Sequence, residues 1–214
     1  MTPSAPDDAW LDRLAHDLRG PLAPLQTASY LLQRDDLDEA RRKELLVLVE
    51  RQVRRLGAML EELGDWVRVG RGRLVGKHEP SEPALLLDYA LVGAGLGGTP
   101  VDDDGNVAVV QGDAQRLTQM LRTLLDFARA HDATPAIRLR SGEGRIVVRM
   151  ALPGVSTPSP DTLVEEPQGE PYDEGLGFRL LVARAIAREH GGELDAGMEG
   201  DALVFRCTLP LADA

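Results

Sequence analysis

The residues with the most chemistry per position stand close together near the start of the chain: His16, Asp17 and Arg19, with Pro21 just beyond. They are set among Leu11, Leu14, Leu18, Leu22, Leu25, Ala28 and Leu32, apolar residues recurring every three or four positions, the mark of one buried helical face. At about 100° per residue, His16 falls roughly 200° from Leu14 and roughly 160° from Leu18, away from that stripe. Imidazole changes charge near neutral pH, so a ring on the wet side of a rigid helix can offer an uncharged nitrogen as a nucleophile. Asp17 can take or orient the ring proton, and Arg19, three positions on, can meet an incoming anion. A lone histidine on a helix surface is ordinarily just solvated. Pro21 argues for more: it removes the helical bond to the Asp17 carbonyl and loosens the helix one turn past the histidine.

The elements that must position these groups follow from periodicity. Helix one is expected from about Asp7 to Gln33, a rod of roughly 40 Å. Asp35-Asp36-Leu37-Asp38 breaks it, and Asp38 with Glu39 supplies acid at the start of helix two. Helix two carries Leu45, Leu48, Gln52, Leu56, Met59, Leu63 and Trp66 or Val67 on one face and ends at Gly70-Arg71-Gly72. Two long amphipathic helices with a short connection make an antiparallel hairpin. Such a hairpin cannot bury both stripes alone, so pairing of two copies into a four-helix bundle is expected. The basic clusters Arg41-Arg42-Lys43 and Arg51, Arg54, Arg55 read as solvated faces.

After Gly72 short apolar runs mixed with Pro and Gly predict an α/β unit. Ser81 to Ala94 reads as a helix with Leu85, Leu86, Tyr89 and Val92 inward. Val107 to Val110 reads as a strand, Ala114 to His131 as a helix, and Ile137–Arg140 with Ile146–Ala151 as two strands joined by Ser141-Gly142-Glu143-Gly144. Gly175-Leu176-Gly177 opens a helix to about His190, which Gly191-Gly192 closes. Glu193–Ala196 and Ala202–Leu209 finish as strands. Pro158, Pro160, Pro167 and Pro171, set among acids, predict a mobile loop. There is no internal repeat. His78, His131 and His190 lack metal-like spacing and read as incidental, and Asp102-Asp103-Asp104-Gly105-Asn106 reads as a solvated turn because no glutamate follows at calcium-loop spacing.

Composition narrows the function classes. A chain of 214 residues has room for one or two domains. No run of eighteen apolar residues exists, the first residues lack a secretory pattern, and the single Cys207 excludes an internal disulfide, so a cytoplasmic protein is expected. Cys207 lies in an alternating apolar segment and reads as a small core residue. The net charge of −11 is uneven: residues 1–75 hold 12 Lys/Arg against 13 Asp/Glu, residues 76–214 hold 12 against 22. The acidic second half is a poor partner for nucleic acid or a membrane.

The run His16-Asp17-Leu18-Arg19-Gly20-Pro21-Leu22 resembles the phospho-acceptor box of two-component histidine kinases, His-Glu/Asp-Leu-Arg-x-Pro-Leu. The resemblance implies that His16 accepts a phosphoryl group with Asp17 as its acid–base neighbour. The family position four after the histidine is usually Thr or Asn, which positions water for dephosphorylating a partner; Gly20 stands there, which speaks against phosphatase activity. The segment from Gly112 through Ala128 resembles the asparagine box of the family's ATP-binding domain, and Gly175-Leu176-Gly177-Phe178 with His190-Gly191-Gly192 resembles its last glycine box and helix. The family's catalytic positions are replaced, however. Its two asparagines fall at Thr123 and Phe127, and a phenyl ring cannot ligate a hard cation. Its adenine-reading aspartate falls at Leu152, which has no acceptor, and the following glycine position is Ser156. Gly175 and Gly177 then read as vestigial, helix-start geometry kept in a retained fold.

The expectation is therefore an α+β protein: a dimerisation and phosphotransfer hairpin over residues 1–74, then a reduced α/β sandwich of the histidine-kinase ATPase type over 75–214. An intact acceptor box beside an emptied nucleotide site resembles the kinase-derived histidine phosphotransferases. It implies transfer between receiver aspartates of response regulators through His16, in a homodimer, without ATP; no metal or cofactor is held, and the partner receiver supplies Mg2+. The rival expectations are an ATP-using kinase with rebuilt contacts and a non-catalytic pseudokinase that sequesters a regulator. No sensing segment is recognised, so input is expected through a partner.

Overall fold

The computed structural model describes residues 8–106, 108–168 and 175–212. The Leu11 side chain, Val107 and Pro171, which figure in the sequence reading, lie outside the described residues.

The chain opens with two long helices, α1 (Asp8–Leu32) and α2 (Glu39–Gly70), packed against each other as the expected hairpin. Asp38 caps α2: its extended backbone lets the carboxylate accept the Arg41 N–H at 2.7 Å, satisfying one of the orphan donors of the first turn. Helix α1 runs on through Pro21 and Pro24. Pro21 is itself buried, and it removes the helical N–H that the Asp17 carbonyl would otherwise accept. Along α2 the inward line is Leu45, Gln52, Met59, Glu62 and Asp65. The apolar half of that line matches the expected face, and the two buried acids do not.

The rest folds as a two-layer α/β unit. The strands are β1 (Glu79–Ser81), β2 (Val101–Asp103), β3 (Val110–Gly112), β4 (Ala136–Gly142), β5 (Arg145–Pro153), β6 (Glu193–Glu199) and β7 (Ala202–Pro210). The helices are α3 (Pro83–Gly93), α4 (Ala114–Ala130) and α5 (Arg179–Glu189). The main sheet has the order β2-β4-β5-β7-β6, antiparallel except for the parallel β2–β4 pair, and β1 and β3 make a separate antiparallel ribbon. Alternation sends Ile146, Val148 and Met150 of β5 and Leu203, Phe205, Cys207 and Leu209 of β7 inward, all at most 4% exposed. Burial pushes the Cys207 thiol up to about 12, in keeping with its reading as a core residue. Helices α3, α4 and α5 cover this face. On the open face Arg149 and Arg206 lie directly across from each other and share Glu199, at 2.6 and 3.0 Å, which offsets their repulsion.

Several expectations are corrected. Helix α3 turns Leu86, Leu87, Ala90 and Leu91 inward and leaves Leu85, Tyr89 and Val92 out at 46%, 60% and 72% exposure. Its sequence is apolar nearly all round, so periodicity does not fix which phase packs on α4. The strand expected at 107–110 is Val110–Gly112, and β1 and β2 are additional. Asp102 and Asp103 belong to β2, and only Asp104-Gly105-Asn106 turns, with Asp104 accepting the Ser141 N–H at 2.7 Å. The proline-rich stretch up to residue 168 is packed rather than loose. Val155, Leu163 and Val164 are buried around a short 3-10 turn, Pro160–Thr162, and Glu165 pairs with Arg184 at 2.6 Å. His190 is no incidental residue either: it is buried and bonded on both ring nitrogens.

Candidate functional site

His16 stands on the outer side of α1 with its side chain 85% exposed, where the apolar stripe predicts it. Its Nδ1 lies 3.2 Å from Asp17 Oδ1. With the proton on Nδ1, that nitrogen donates to Asp17 and leaves the Nε2 lone pair facing solvent, the arrangement a nucleophilic imidazole requires. Arg19 and Gly20 are exposed one turn on, and buried Pro21 anchors the turn that follows. The structure thus brings His16, Asp17 and Pro21 into one local constellation on a rigid helix, with Arg19 on the wet side.

Gly175 and Gly177 lie elsewhere, at the entry to α5, and Gly175 lines a cavity of about 530 Å3 between α2, α4 and α5. Gly177 has φ +83°, and a Cβ there would run into the Gln168 backbone, whose N–H donates to the Gly177 carbonyl at 3.0 Å. Both facts demand glycine. The N–H groups that follow are already engaged. Leu176 N and Phe178 N donate to Glu62 Oε2 of α2, at 3.0 and 3.2 Å. Next to this contact, Trp66 stacks on Phe178 with ring centroids 5.3 Å apart. Asp65, also buried, accepts from Arg116 at 2.9 and 3.0 Å and from Gln119 at 2.8 Å. Burial acts to raise the Asp65 carboxyl, but Gln119, Arg116 and Arg68 outweigh it and hold it below the ordinary value.

The cavity walls carry four carboxylates, Glu61, Glu62, Asp65 and Asp126, against two guanidiniums, Arg122 and Arg179. Arg179 spans the gap to Asp126 at 2.6 Å, tying α5 to α4. The two positions with no nucleotide-binding chemistry are core residues. Phe127 is 3% exposed, stacks on His131 at 4.2 Å and meets Phe205 edge-on at 5.2 Å; Leu152 is fully buried. A metal-bridged triphosphate does not fit these residues: no oxygen ligand stands at Phe127, and no acceptor for an adenine amino group at Leu152. Among the described residues, no group of His, Cys, Asp and Glu could hold a metal ion.

Glu62, Asp65, Asp126 and Arg179 were not singled out from the sequence, and Trp66 only as a residue of the apolar face of α2. A signal for two of them existed. Glu62 and Asp65 continue the Leu45–Gln52–Met59 line of α2, and an acid on a buried line must find a partner.

A helical hairpin with an exposed histidine–aspartate pair, joined to a two-layer α/β unit that closes on it, defines the class to which the chain compares. Residues 8–72 match the family model for the His Kinase A (phospho-acceptor) domain. The sensor protein ChvG of Rhizobium meliloti is 26% identical over 214 residues, covering 86% of this chain but 36% of ChvG, so the chain spans about a third of that relative. The histidine kinase AdeS of Acinetobacter baumannii superposes with a TM-score of 0.68 at 21% identity, over 92% of this chain and 98% of AdeS. The histidine kinase ThkA, in complex with response regulator protein TrrA, gives 0.72 at 17% identity, over 94% of this chain and 61% of that one. At such identities the two structures speak for the fold. Over its length the chain is similar to two-component histidine kinases, and its residues 8–72 match their phospho-acceptor domain. No described helix is long and apolar enough to cross a membrane.

Proposed function

We propose that this protein is a histidine phosphotransferase, passing a phosphoryl group between receiver aspartates of response regulators through His16 without drawing on ATP. The observation that carries the reading is the contrast between the two sites: His16 is open beside Asp17, while the amides at the glycine loop are taken by Glu62 and the metal-ligand position is a core phenyl ring. In the transfer, His16 Nε2 attacks the phosphorus of an aspartyl phosphate. The P–N bond forms as the P–O bond breaks, and the aspartate leaves as a carboxylate; Asp17 steadies the charge gathering on the ring. The second transfer runs the same step in reverse. Positioning and charge neutralisation dominate such chemistry, with Arg19 near the incoming anion and Mg2+ brought by the receiver. The acidic balance of the chain favours no nucleic-acid or membrane partner.

The working unit is a homodimer, as in the His Kinase A family. Leu46, Val53, Leu60 and Val67 lie on one line of α2 at seven-residue spacing, 40–60% exposed. That line is about 100° round from Leu45, Gln52 and Met59, close to the right angle between the two neighbours of a helix in a four-helix bundle. A second copy's α1 is the partner that fits it.

The test mixes the purified protein with receiver domains phosphorylated by radiolabelled acetyl phosphate. Label is expected on His16, lost in His16→Gln, and chaseable into a second receiver. An unlabelled chain beside active receivers overturns the proposal. A second reading, an ATP-using kinase with rebuilt contacts, draws on Asp126, a carboxylate in the cavity wall one position before Phe127. Labelling by γ-labelled ATP alone, with micromolar binding in calorimetry, would favour it.

A further inference from the structure

We propose that Glu62 is an internal anion latch: its carboxylate fills the amide cradle of the glycine loop and locks the α/β unit onto the hairpin, in an arrangement that leaves His16 exposed. Three contacts from neighbouring positions of α2 converge at that seam, from Glu62 and from Asp65 and Trp66 three and four residues further on. Glu62, 8% exposed, accepts from two backbone N–H groups of the loop entering α5. A carboxylate at the N-terminal end of a helix gains from the aligned peptide dipoles as well as from the hydrogen bonds. Asp65 reaches α4 through Arg116 and Gln119, and Trp66 stacks on Phe178. An exogenous anion can use the Leu176 and Phe178 amides only after Glu62 leaves them, and Glu61, Asp65 and Asp126 around the same cavity add repulsion. With the latch closed, His16 is 85% exposed, so none of the described residues covers that ring.

The latch rests on the phosphotransfer reading only in what it is for; the contact itself is tested apart. Hydrogen–deuterium exchange on the full-length chain follows peptides over residues 58–69 and 175–182. In Glu62→Ala both are expected to exchange roughly tenfold faster or more, together, because charge-assisted bonds at a buried seam are lost. In Glu62→Gln, which keeps an acceptor of the same size without the charge, the rise is smaller but present. Glu61→Ala, which lines the same cavity from an exposed position, leaves both peptides unchanged. Unchanged exchange in both Glu62 variants, or an equal rise in Glu61→Ala, overturns the latch. His16 labelling by phosphorylated receivers, read on the same preparations, judges the function separately: faster exchange with no label in any protein sinks the phosphotransfer reading and leaves the latch standing, whereas unchanged exchange with normal labelling does the reverse.

Discussion

His190 holds the start of α4 by its backbone: ring Nε2 accepts the Asp113 N–H at 2.9 Å, while Nδ1–H donates to the Ile186 carbonyl at 2.7 Å. Both bonds require the neutral ring in one tautomer. Asp113 in turn caps α4 through Arg116 N and takes the Gly76 N–H at 2.9 Å, so one imidazole links α5, α4 and the segment after the hairpin.

Burial chiefly, with His78 stacked 5.0 Å away, lowers the His190 pKa against the opposing pull of Ile186, Asp113 and Glu189. The folded protein therefore disfavours the extra proton that the unfolded chain accepts. Stability from this group is complete above the ordinary histidine value, near 6.5, and is lost as pH falls through it toward the lower folded-state value. Urea titrations from about pH 8 to about pH 5 should show the decline in the wild type and a flatter profile in His190→Leu. Equal slopes would remove His190 as the cause.

Much of the fold was legible because its signals are local. The hairpin follows from period and from Asp38, and β4–β5 from alternation around Glu143-Gly144, both at positive φ. The exposure of His16 follows from its phase against Leu14 and Leu18. What escaped reading depends on partners distant in sequence. Three-residue strands such as β1 and β2 carry no periodic signal of their own and exist because Gly112 or Ile137 stands opposite. The seam built by Glu62 and Trp66 joins α2 to a loop more than a hundred residues away, and only the packed chain reveals that the glycine loop binds a carboxylate from within.

The open stripe on α2 predicts an assembly defect separable from folding. Val53→Glu with Leu60→Glu puts two charges at positions that are each more than half exposed in the single chain, so the hairpin itself should lose no more than about 0.5 kcal/mol. Sedimentation velocity should find dimers of the wild type and monomers of the double variant, with helical circular dichroism retained. A variant that still sediments as a dimer would move the interface to another face.

Gly177 and Gly72 share a positive φ, +83° and +58°, but differ in surroundings: nothing lies within 4 Å of a Cβ at Gly72, whereas one at Gly177 meets the Gln168 backbone. Gly72→Ala should therefore cost only the backbone strain, about 1 kcal/mol. Gly177→Ala adds a collision that no side-chain rotation relieves and should lose roughly 2 kcal/mol or more. Thermal melts of the two variants side by side measure the difference, and equal losses would mean that the Gln168 contact is not fixed.

Restoring the family's metal ligand alone should not restore a nucleotide site. Phe127→Asn removes a ring packed against His131 and Phe205 and leaves an amide in an apolar pocket, so the expected loss of stability is roughly 3–5 kcal/mol. The new side chain would face the same sheet core, with Leu152 still offering no acceptor and Glu62 still seated on the Leu176 and Phe178 amides. Calorimetry of the variant with magnesium and ATP should record no binding heat at millimolar nucleotide, and urea unfolding should record the lost stability. Micromolar binding from this single change would mean that the phenyl ring alone had closed the site, and that neither the missing acceptor at Leu152 nor the carboxylate of Glu62 keeps nucleotide out.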